Sequence, residues 1–547
     1  MRIDLIIERG RIWTGDTSRP RASKIGIWNG LIVGLDEQLD GVTAEVNLDA
    51  QGAFIAPGFN DVHAHTVWFG QTLLELDLSG TGTSDELIRR IHEYARTVPA
   101  GAWVIGSNFN PLGISTELPT RDALDAATGG RPLWLKHSSG HAYTLNGIAL
   151  AEVGIADYPT EQIEGGQVVI DAQGRATGLI EENAQQLVQR HLLPDSRVDI
   201  VHALHVATQQ YVREGLTSVT DAGIAGGWIG HSPQELGAYQ QARQQGKLLT
   251  RMQPMITLDA LHAVPGHASD PTAATLDAGM RTGLGDEWLQ VGPVKVFTDG
   301  SLLGSTAAMT EDYAACPGNH GYLLGDPGEV REKVLRAAAA GWSLALHAIG
   351  DRAVDFAIDT IVEAQSRFGR PRIPNRIEHG GVVRDDQIVQ LAAHGIVLVP
   401  QPFFIPTFGD GMAAKLGPER THLSYPAARV LNAGAVLPGS SDRPVAPGAP
   451  LAVMQAFVER LTETGKPYGP SERITAEQAL RAYTRGSAEA TGWAHRKGVL
   501  APGMLADLVV LGEDLTEVPS DRIAQIEVVA TLVGGQLRHG GLDSLTH

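Results

Sequence analysis

Five short stretches of this chain carry the residue types that metal-dependent chemistry uses. The first is Asp61-Val62-His63-Ala64-His65. In an extended segment residues i and i+2 point to the same face, so His63 and His65 can share one metal ion. Imidazole is a common ligand for zinc, iron, nickel and copper. Taken alone, His-x-His fits a solvated or structural pair equally well. The second is Val294-Lys295-Val296-Phe297-Thr298-Asp299-Gly300. A lysine set between apolar neighbours in a strand is buried, and a buried unpaired ammonium is costly. Lys295 is therefore either a salt-bridged core residue or a neutral amine carboxylated by carbon dioxide, which turns a cation into a carboxylate able to bridge two metals. The third and fourth, Leu346-His347-Ala348-Ile349-Gly350-Asp351-Arg352 and Arg376-Ile377-Glu378-His379-Gly380, each put a histidine at or just past an expected strand end, with a glycine close behind. The fifth is Pro438-Gly439-Ser440-Ser441-Asp442-Arg443-Pro444. Each of these last three also has a plain structural reading: a hydrogen-bonded core histidine for His347 or His379, and a helix cap or turn for Asp442.

The elements that must position these residues alternate short apolar runs with longer Ala-rich stretches, the mark of βα units and a parallel sheet. Strands are expected at Phe54–Phe59, Leu216–Thr220, Arg251–Ile256, Gly292–Phe297, Trp342–His347, Arg376–Glu378, Ile396–Val399 and Ala435–Pro438. Helices are expected at Glu329–Ala340, Ala353–Ser366 and Asp385–Ala393. Eight strands in that order fit a closed (β/α)8 (TIM) barrel of α/β class. In such a barrel the strand C-termini converge on one face, where its active sites lie. All five motifs fall at strand ends, so their joint occurrence points to one metal site far more strongly than any motif does alone.

Both ends of the chain read as β-rich. Asn29-Gly30 between apolar pairs is a hairpin signal, and Leu508–Leu511 with Val528–Val533 form matching runs near the other end. Residues 1–57 and 498–547 are expected to pair into one composite β-sandwich, with 58–497 as the catalytic barrel. The stretch from about 70 to 210 is too long for one connection. It is expected to be a subdomain inserted after the first barrel strand, over the barrel mouth, with strands at Trp103–Gly106, Pro132–Lys136 and Gln167–Ile170.

Composition narrows the function classes. The chain has 547 residues, 43% of them hydrophobic, and a formal net charge of −19 with no basic run. Nucleic acid and anionic membrane surfaces are poor partners for it, because phosphate binding needs clustered positive charge. Its single cysteine, Cys316, forms no intrachain disulfide, which suits a reducing cytoplasm. The start, Met1 to Glu8, reads as a strand rather than a signal peptide. No stretch approaches the ~18 uninterrupted apolar residues of a membrane span. A soluble cytoplasmic protein with a small-molecule substrate is expected.

The motifs resemble those of the amidohydrolase superfamily, and more narrowly the YtcJ-like branch (amidohydrolase family 3) that includes N-substituted formamide deformylases. The residues that carry the resemblance are Pro57-Gly58-Phe59-Asn60-Asp61-Val62-His63-Ala64-His65, Val294 to Ser301, His347 to Ala353, Ile377 to Gly380 and Gly439 to Asp442. Gly498 to Leu508 adds the superfamily's return into its β domain. The resemblance covers essentially the whole chain. It implies that His63 and His65 bind one metal, His347 and His379 a second, and that carboxylated Lys295 bridges them. It further implies that Asp442 binds the first metal and carries the proton, and that the protein is a homodimer. Two departures stand out. Asn60 occupies a position that is aliphatic in many relatives, and the stretch Asp299 to Ser305 is slightly longer than the pattern.

The chemistry follows from that set. A bound divalent metal lowers the pKa of water from about 15.7 to about 7 and polarises a carbonyl. Asp442 accepts the proton and returns it to the leaving amine. The ligands are nitrogen and oxygen only, so zinc leads, with iron, manganese or cobalt also fitting, one or two ions per chain. His141, in Lys136-His137-Ser138-Ser139-Gly140-His141, reads either as a donor to the substrate carbonyl or as a loop histidine. Arg352, Gln401 and Trp68 are further substrate-pocket candidates, and Pro402 to Phe408 is an aromatic-rich loop. Hydrolysis of an amide, formamide or carbamate is the leading reaction. Deamination of an aminated ring is the alternative on the same fold, and Lys295 counts against it because such deaminases use one metal without a bridging lysine. A non-catalytic metal or small-molecule binding protein is the third reading, and retention of all six metal-site positions counts against that.

Overall fold

A computed structural model describes residues 2–137, 142–159, 166–227, 229–269 and 273–541. The chain divides into two compact units, 1–66 with 208–547, and 67–207.

In the larger unit the two ends of the chain share a sheet. Phe54–Pro57 runs antiparallel to Leu508–Leu511, with Phe54 opposite Leu511 and Pro57 opposite Leu508. The six strands of this sheet lie in the order Gln536–Gly540, Val528–Val533, Leu508–Leu511, Phe54–Pro57, Arg11–Trp13 and Arg21–Ala22. A second, four-stranded sheet holds Leu31–Leu35, Ile25–Trp28, Arg2–Glu8 and Thr43–Asp49. The Asn29-Gly30 hairpin forms as expected, with φ of 51° and 75°, the left-handed pair a tight hairpin turn requires. Ile7, Ile12, Ile25, Ile27, Ile55, Leu508, Val510 and Leu532 bury one apolar cluster drawn from both sheets.

The run expected as a single strand, Phe54–Phe59, is two strands in different sheets. Phe54–Pro57 belongs to the end sheet, while Phe59–Ala64 lies parallel to Leu216–Asp221. The change of sheet happens at Gly58, where a Cβ would lie 2.2 Å from Thr217 Cγ2, so only glycine permits the close passage. Likewise the expected strand Arg251–Ile256 divides into Arg251–Met252 and Ile256–Thr257 around Pro254, which has no N–H to give a ladder.

From Phe59 onward every ladder of the site-bearing strands is parallel. Phe59–Ala64, Leu216–Asp221 and Arg251–Met252 form one group. Ile256–Thr257, Val294–Phe297, Leu344–Ala348, Arg376–His379 and Val397–Val399 form a second, and an isolated parallel bridge from Ile224 to Ile256 links the two. The segment expected as the last strand, Ala435–Pro438, has no regular ladder. The chain just beyond it is tied to the first strand: Val62 N–H donates to the Gly439 carbonyl (3.0 Å) and Asp442 N–H to the His63 carbonyl (2.7 Å). Helices Pro327–Ala339, Asp351–Phe368 and Asp385–His394 separate successive strands close to the expected bounds. The first begins after Asp326, whose side chain caps it by accepting from Glu329 N–H.

The smaller unit has a six-stranded sheet in the order Gly166–Ile170, Ala176–Glu182, Ala142–Leu145, Leu133–His137, Val104–Phe109 and Leu76–Asp77. Two apolar clusters fill it, one around Leu87, Ile91 and Leu133, the other around Leu145, Leu150 and Ile180. Asn146 is a buried helix cap here. Its amide oxygen accepts from Ala149 N–H and Leu133 N–H, and its amide nitrogen donates to the Arg131 carbonyl and Thr128 Oγ1. Among the described residues no helix is long and apolar enough to cross a membrane.

Candidate metal centre

Every residue of Phe59–Ala64 is buried, and His63 and His65 project where this strand ends. Backbone and side-chain bonds set that end against the 440–443 segment. Asp61 Oδ1 accepts from His63 N–H (3.0 Å) and Ser441 N–H (3.2 Å), and His65 N–H donates to the Arg443 carbonyl (2.8 Å). Burial pushes the Asp61 carboxyl up to about 6 against the opposing pull of Arg443. Arg443 is itself buried and paired with Glu214 at 2.7 Å. On the neighbouring strand Asp221 Oδ2 accepts from Thr66 N–H (2.9 Å) and from the Tyr239 hydroxyl, which holds the turn directly after His65.

This frame brings Asp442 onto the histidine pair. Its Oδ1 lies 3.2 Å from His63 Nε2 and 3.0 Å from His65 Nε2, and its Oδ2 lies 3.9 Å from His379 Nδ1. His63, His65 and Asp442 offer one ligand atom each, all within 4.8 Å of one another. Asp442 and His379 have φ of 58° and 76°. Non-glycine residues rarely adopt this left-handed region, and such strain concentrates at functional sites. His63 Nε2 and Asp442 Oδ1 are buried, and neither makes a hydrogen bond. Buried polar atoms are nearly always satisfied. Two orphaned ligand atoms of this chemistry, with a second imidazole beside them, fit a divalent cation.

The remaining expected ligands gather around this core. The His379 ring centroid is 4.9 Å from that of His63 and 4.4 Å from that of His347. His347 Nε2 lies 3.1 Å from the Gly300 carbonyl and 3.5 Å from Asp299 Oδ1. Its pKa is pushed down to about 3, first by burial and then by the Lys295 cation. His379 lies well below the usual imidazole range, through burial and then the neighbouring His347. Lys295 is buried in Val294–Phe297 with Nζ 5.1 Å from the Phe297 ring centre. Burial lowers its amine to about 8 while Glu378 and Asp442 pull the other way. Asp442 stays well below its ordinary range: burial alone would raise it, but His63, His65 and His379 outweigh that.

The pocket candidates fare differently. Gln401 is fully buried, and it braces His379: its Oε1 is 2.8 Å from His379 Nδ1, and its Nε2 donates to the Val399 carbonyl and Ser440 Oγ. Arg352 is half-buried on the first turn of Asp351–Phe368, where Nη2 donates to the Gly321 carbonyl and Nε is buried without a hydrogen bond. Trp68 is half-buried on the helix Thr66–Leu74. His141 lies outside the described residues.

Three residues of the centre carry no role in the sequence reading. Glu378 Oε2 is bonded to His63 Nδ1, and Arg376 donates to both oxygens of Glu378. Asp299 accepts from the backbone N–H groups of Ala308, Ile349 and Gly350, and so fixes the chain beyond His347. Opposite charges two residues apart in one short strand, Arg-x-Glu, and Asp-Gly just past a strand end are the signals that mark them.

Residues 47–539 match the Amidohydrolase family. Protein LONG AFTER FAR-RED 3 of Arabidopsis thaliana is 31% identical over 551 residues, 97% of this chain and 91% of that one. The N-substituted formamide deformylase of Arthrobacter pascens is 30% identical over 550 residues, 98% of each chain. The crystal structure of an uncharacterized metal-dependent hydrolase from Pyrococcus horikoshii OT3 superposes with a TM-score of 0.77 at 25% identity, covering 94% of this chain and 99% of that one.

Proposed function

The chain belongs to the amidohydrolase family, and from that premise we propose that it is a metal-dependent hydrolase of a non-peptide carbon–nitrogen bond in a small molecule, an amide, formamide or carbamate. The observation that carries this reading is the pair of orphaned, buried ligand atoms, His63 Nε2 and Asp442 Oδ1, with His65 Nε2 3.0 Å from the same oxygen. The 30% identity to a formamide deformylase across nearly the whole chain supports the choice of bond. The succession of parallel strands and helices supports a (β/α)8 barrel over 58–497. The shared end sheet supports a composite β-sandwich of 1–57 with 498–547, and the separate unit 67–207 supports an insertion after the first barrel strand.

His63, His65 and Asp442 would hold one ion, and His347, His379 and a carboxylated Lys295 a second, with zinc the best match to nitrogen and oxygen ligands. Bound there, a divalent metal supplies a water acidic enough to ionise near neutral pH and a Lewis acid for the carbonyl. The chain's own part is proton transfer and placement. Asp442 Oδ1 is held against the two histidines, so Oδ2 is the atom that takes the proton from the attacking water and delivers it to the leaving nitrogen. Asp442 is suited to start as a base, because its neighbours keep it ionised. Gln401 and Asp299 hold His379 and the His347 strand end in place. Burial draws the Lys295 amine toward neutrality, which favours the reaction with carbon dioxide that carboxylation needs.

The test is amine release from a panel of N-substituted formamides by metal-stripped protein and by protein reloaded with zinc. Turnover restored by zinc is expected. Equal turnover by the stripped protein would overturn the reading.

A further inference from the structure

The proposed reaction makes no use of Glu378 or Arg376, yet both side chains are fully buried in the strand Arg376–His379. Ionised groups this deep persist only when they are paired and hydrogen-bonded on several sides. Here the pairing is directional. Arg376 Nε donates to Glu378 Oε1 (2.5 Å) and Nη2 to Oε2 (2.9 Å), a two-pronged grip on the carboxylate. The same Nη2 donates to the Val62 carbonyl (2.5 Å), one residue before His63 on a strand far away in sequence. Glu378 Oε2 then meets His63 Nδ1. The three side chains form a line, Arg376 to Glu378 to His63, which ends at the orphaned Nε2 beside Asp442.

We infer that Glu378, held by Arg376, is a positioning residue for His63: its Oε2 accepts a hydrogen bond from Nδ1–H, which fixes the ring's tautomer and rotation and leaves Nε2 as the ligand atom. A carboxylate behind a ligating imidazole also raises the basicity of the far nitrogen, and losing such a partner typically costs roughly 10–100-fold in metal affinity. The simpler use of these residues is an ion pair that only fills the interior. That use requires Glu378 to satisfy Arg376, but gives no reason for the carboxylate to face His63 or for Arg376 to grip the His63 strand as well. The inference rests on the metal reading of the centre and deepens it by assigning the residue that prepares one ligand.

The experiment measures zinc affinity of the full chain by competition with a chromogenic chelator, for the parent, for Glu378→Gln and for the double variant Arg376→Met/Glu378→Gln. Circular dichroism reports whether each is folded. Glu378→Gln is expected to bind zinc roughly 10–100-fold more weakly. The double variant leaves no unpaired guanidinium in the interior, so it isolates the role toward His63 from the role toward Arg376. It is expected to fold and to bind zinc as weakly as the single variant. Parent-like affinity in either folded variant, within about twofold, would overturn the inference. A crystal structure of the zinc-loaded parent tests it without any variant: Nε2 on zinc and Nδ1 on Glu378 is expected, and a ring turned to place Nδ1 on zinc would overturn it. A parent that binds no zinc would instead sink the metal reading itself.

Discussion

The two halves of the centre sit in opposite electrostatic surroundings. His63 and His65 meet a carboxylate directly, with Asp442 Oδ1 3.2 and 3.0 Å away, and Glu378 backs His63 from behind. His347 and His379 face each other, with ring centres 4.4 Å apart, and the Lys295 cation adds to the burial that depresses both. Burial and the same Lys295 cation work against a charged His63 as well, but there Asp442 and Glu378 outweigh both and its pKa rises. The first half thus already gathers three ligand atoms, one of them a carboxylate oxygen, in the bare chain. On the proposed reading, the second half would become a cation site if Lys295 exchanged its positive charge for a negative one. On this account carboxylation of Lys295 is the step that separates a site for one ion from a site for two.

The largest effect is expected from His63→Ala. It removes a ligand from the first half, so the ion held there should be lost and turnover should fall to background, as metal analysis and amine release would report. Metal content equal to the parent's would take His63 out of the ligand set. Asp442→Asn comes next: it should cut turnover by roughly 10²–10⁴-fold, the usual span for a lost general acid–base, while most of the metal stays bound. Full activity in this variant would end the proton-carrying role. Lys295→Met sharpens the contrast. It should abolish the second ion and spare the first, which elemental analysis would read as a lowered metal-to-protein ratio with the His63 half still loaded. A ratio equal to the parent's would erase the distinction between the halves.

The smallest effect belongs to a half-buried lysine outside the centre. Lys497 is lowered from its ordinary 10.5 to about 7 by burial, with Asp507 opposing and Arg251 adding to the shift. A lysine whose folded pKa lies below its unfolded value takes up its proton more readily when unfolded. Stability therefore rises with pH between about 7 and about 10.5, and the penalty is fully present below that window. Lys497→Met should flatten this slope in thermal melts across the window and leave metal content untouched. A change in metal content would show that depressed lysines are not separable by location.

The candidate ligands are legible in the sequence because they fall in or just past expected strands, and parallel strands gather their ends on one side. His63, His65 and Asp442 come together as that argument requires, and His347 and His379 lie against them. What hides from the sequence has physical causes. The apolar run from Phe54 to Phe59 crosses from one sheet to another at Gly58, and hydropathy carries no mark of which sheet a buried residue joins. Strands buried on both faces lose the inward–outward alternation, so Arg376 and Glu378 do not announce which way they point. Gln401 looks like a pocket residue beside an aromatic loop, whereas its amide is consumed by His379, Val399 and Ser440. In the inserted unit Ala142–Leu145 and Ala176–Glu182 are too short or too polar to read as strands, and pairing with their neighbours is what defines them.

A crystal structure of the metal-loaded protein, with anomalous scattering recorded on either side of the zinc edge, locates the metal and its ligands. The account expects an anomalous peak bound by His63 Nε2, His65 and Asp442, with a second peak at His347 and His379 accompanied by added density on Lys295. A loaded, active protein whose only metal lies away from His63 and Asp442 would contradict it.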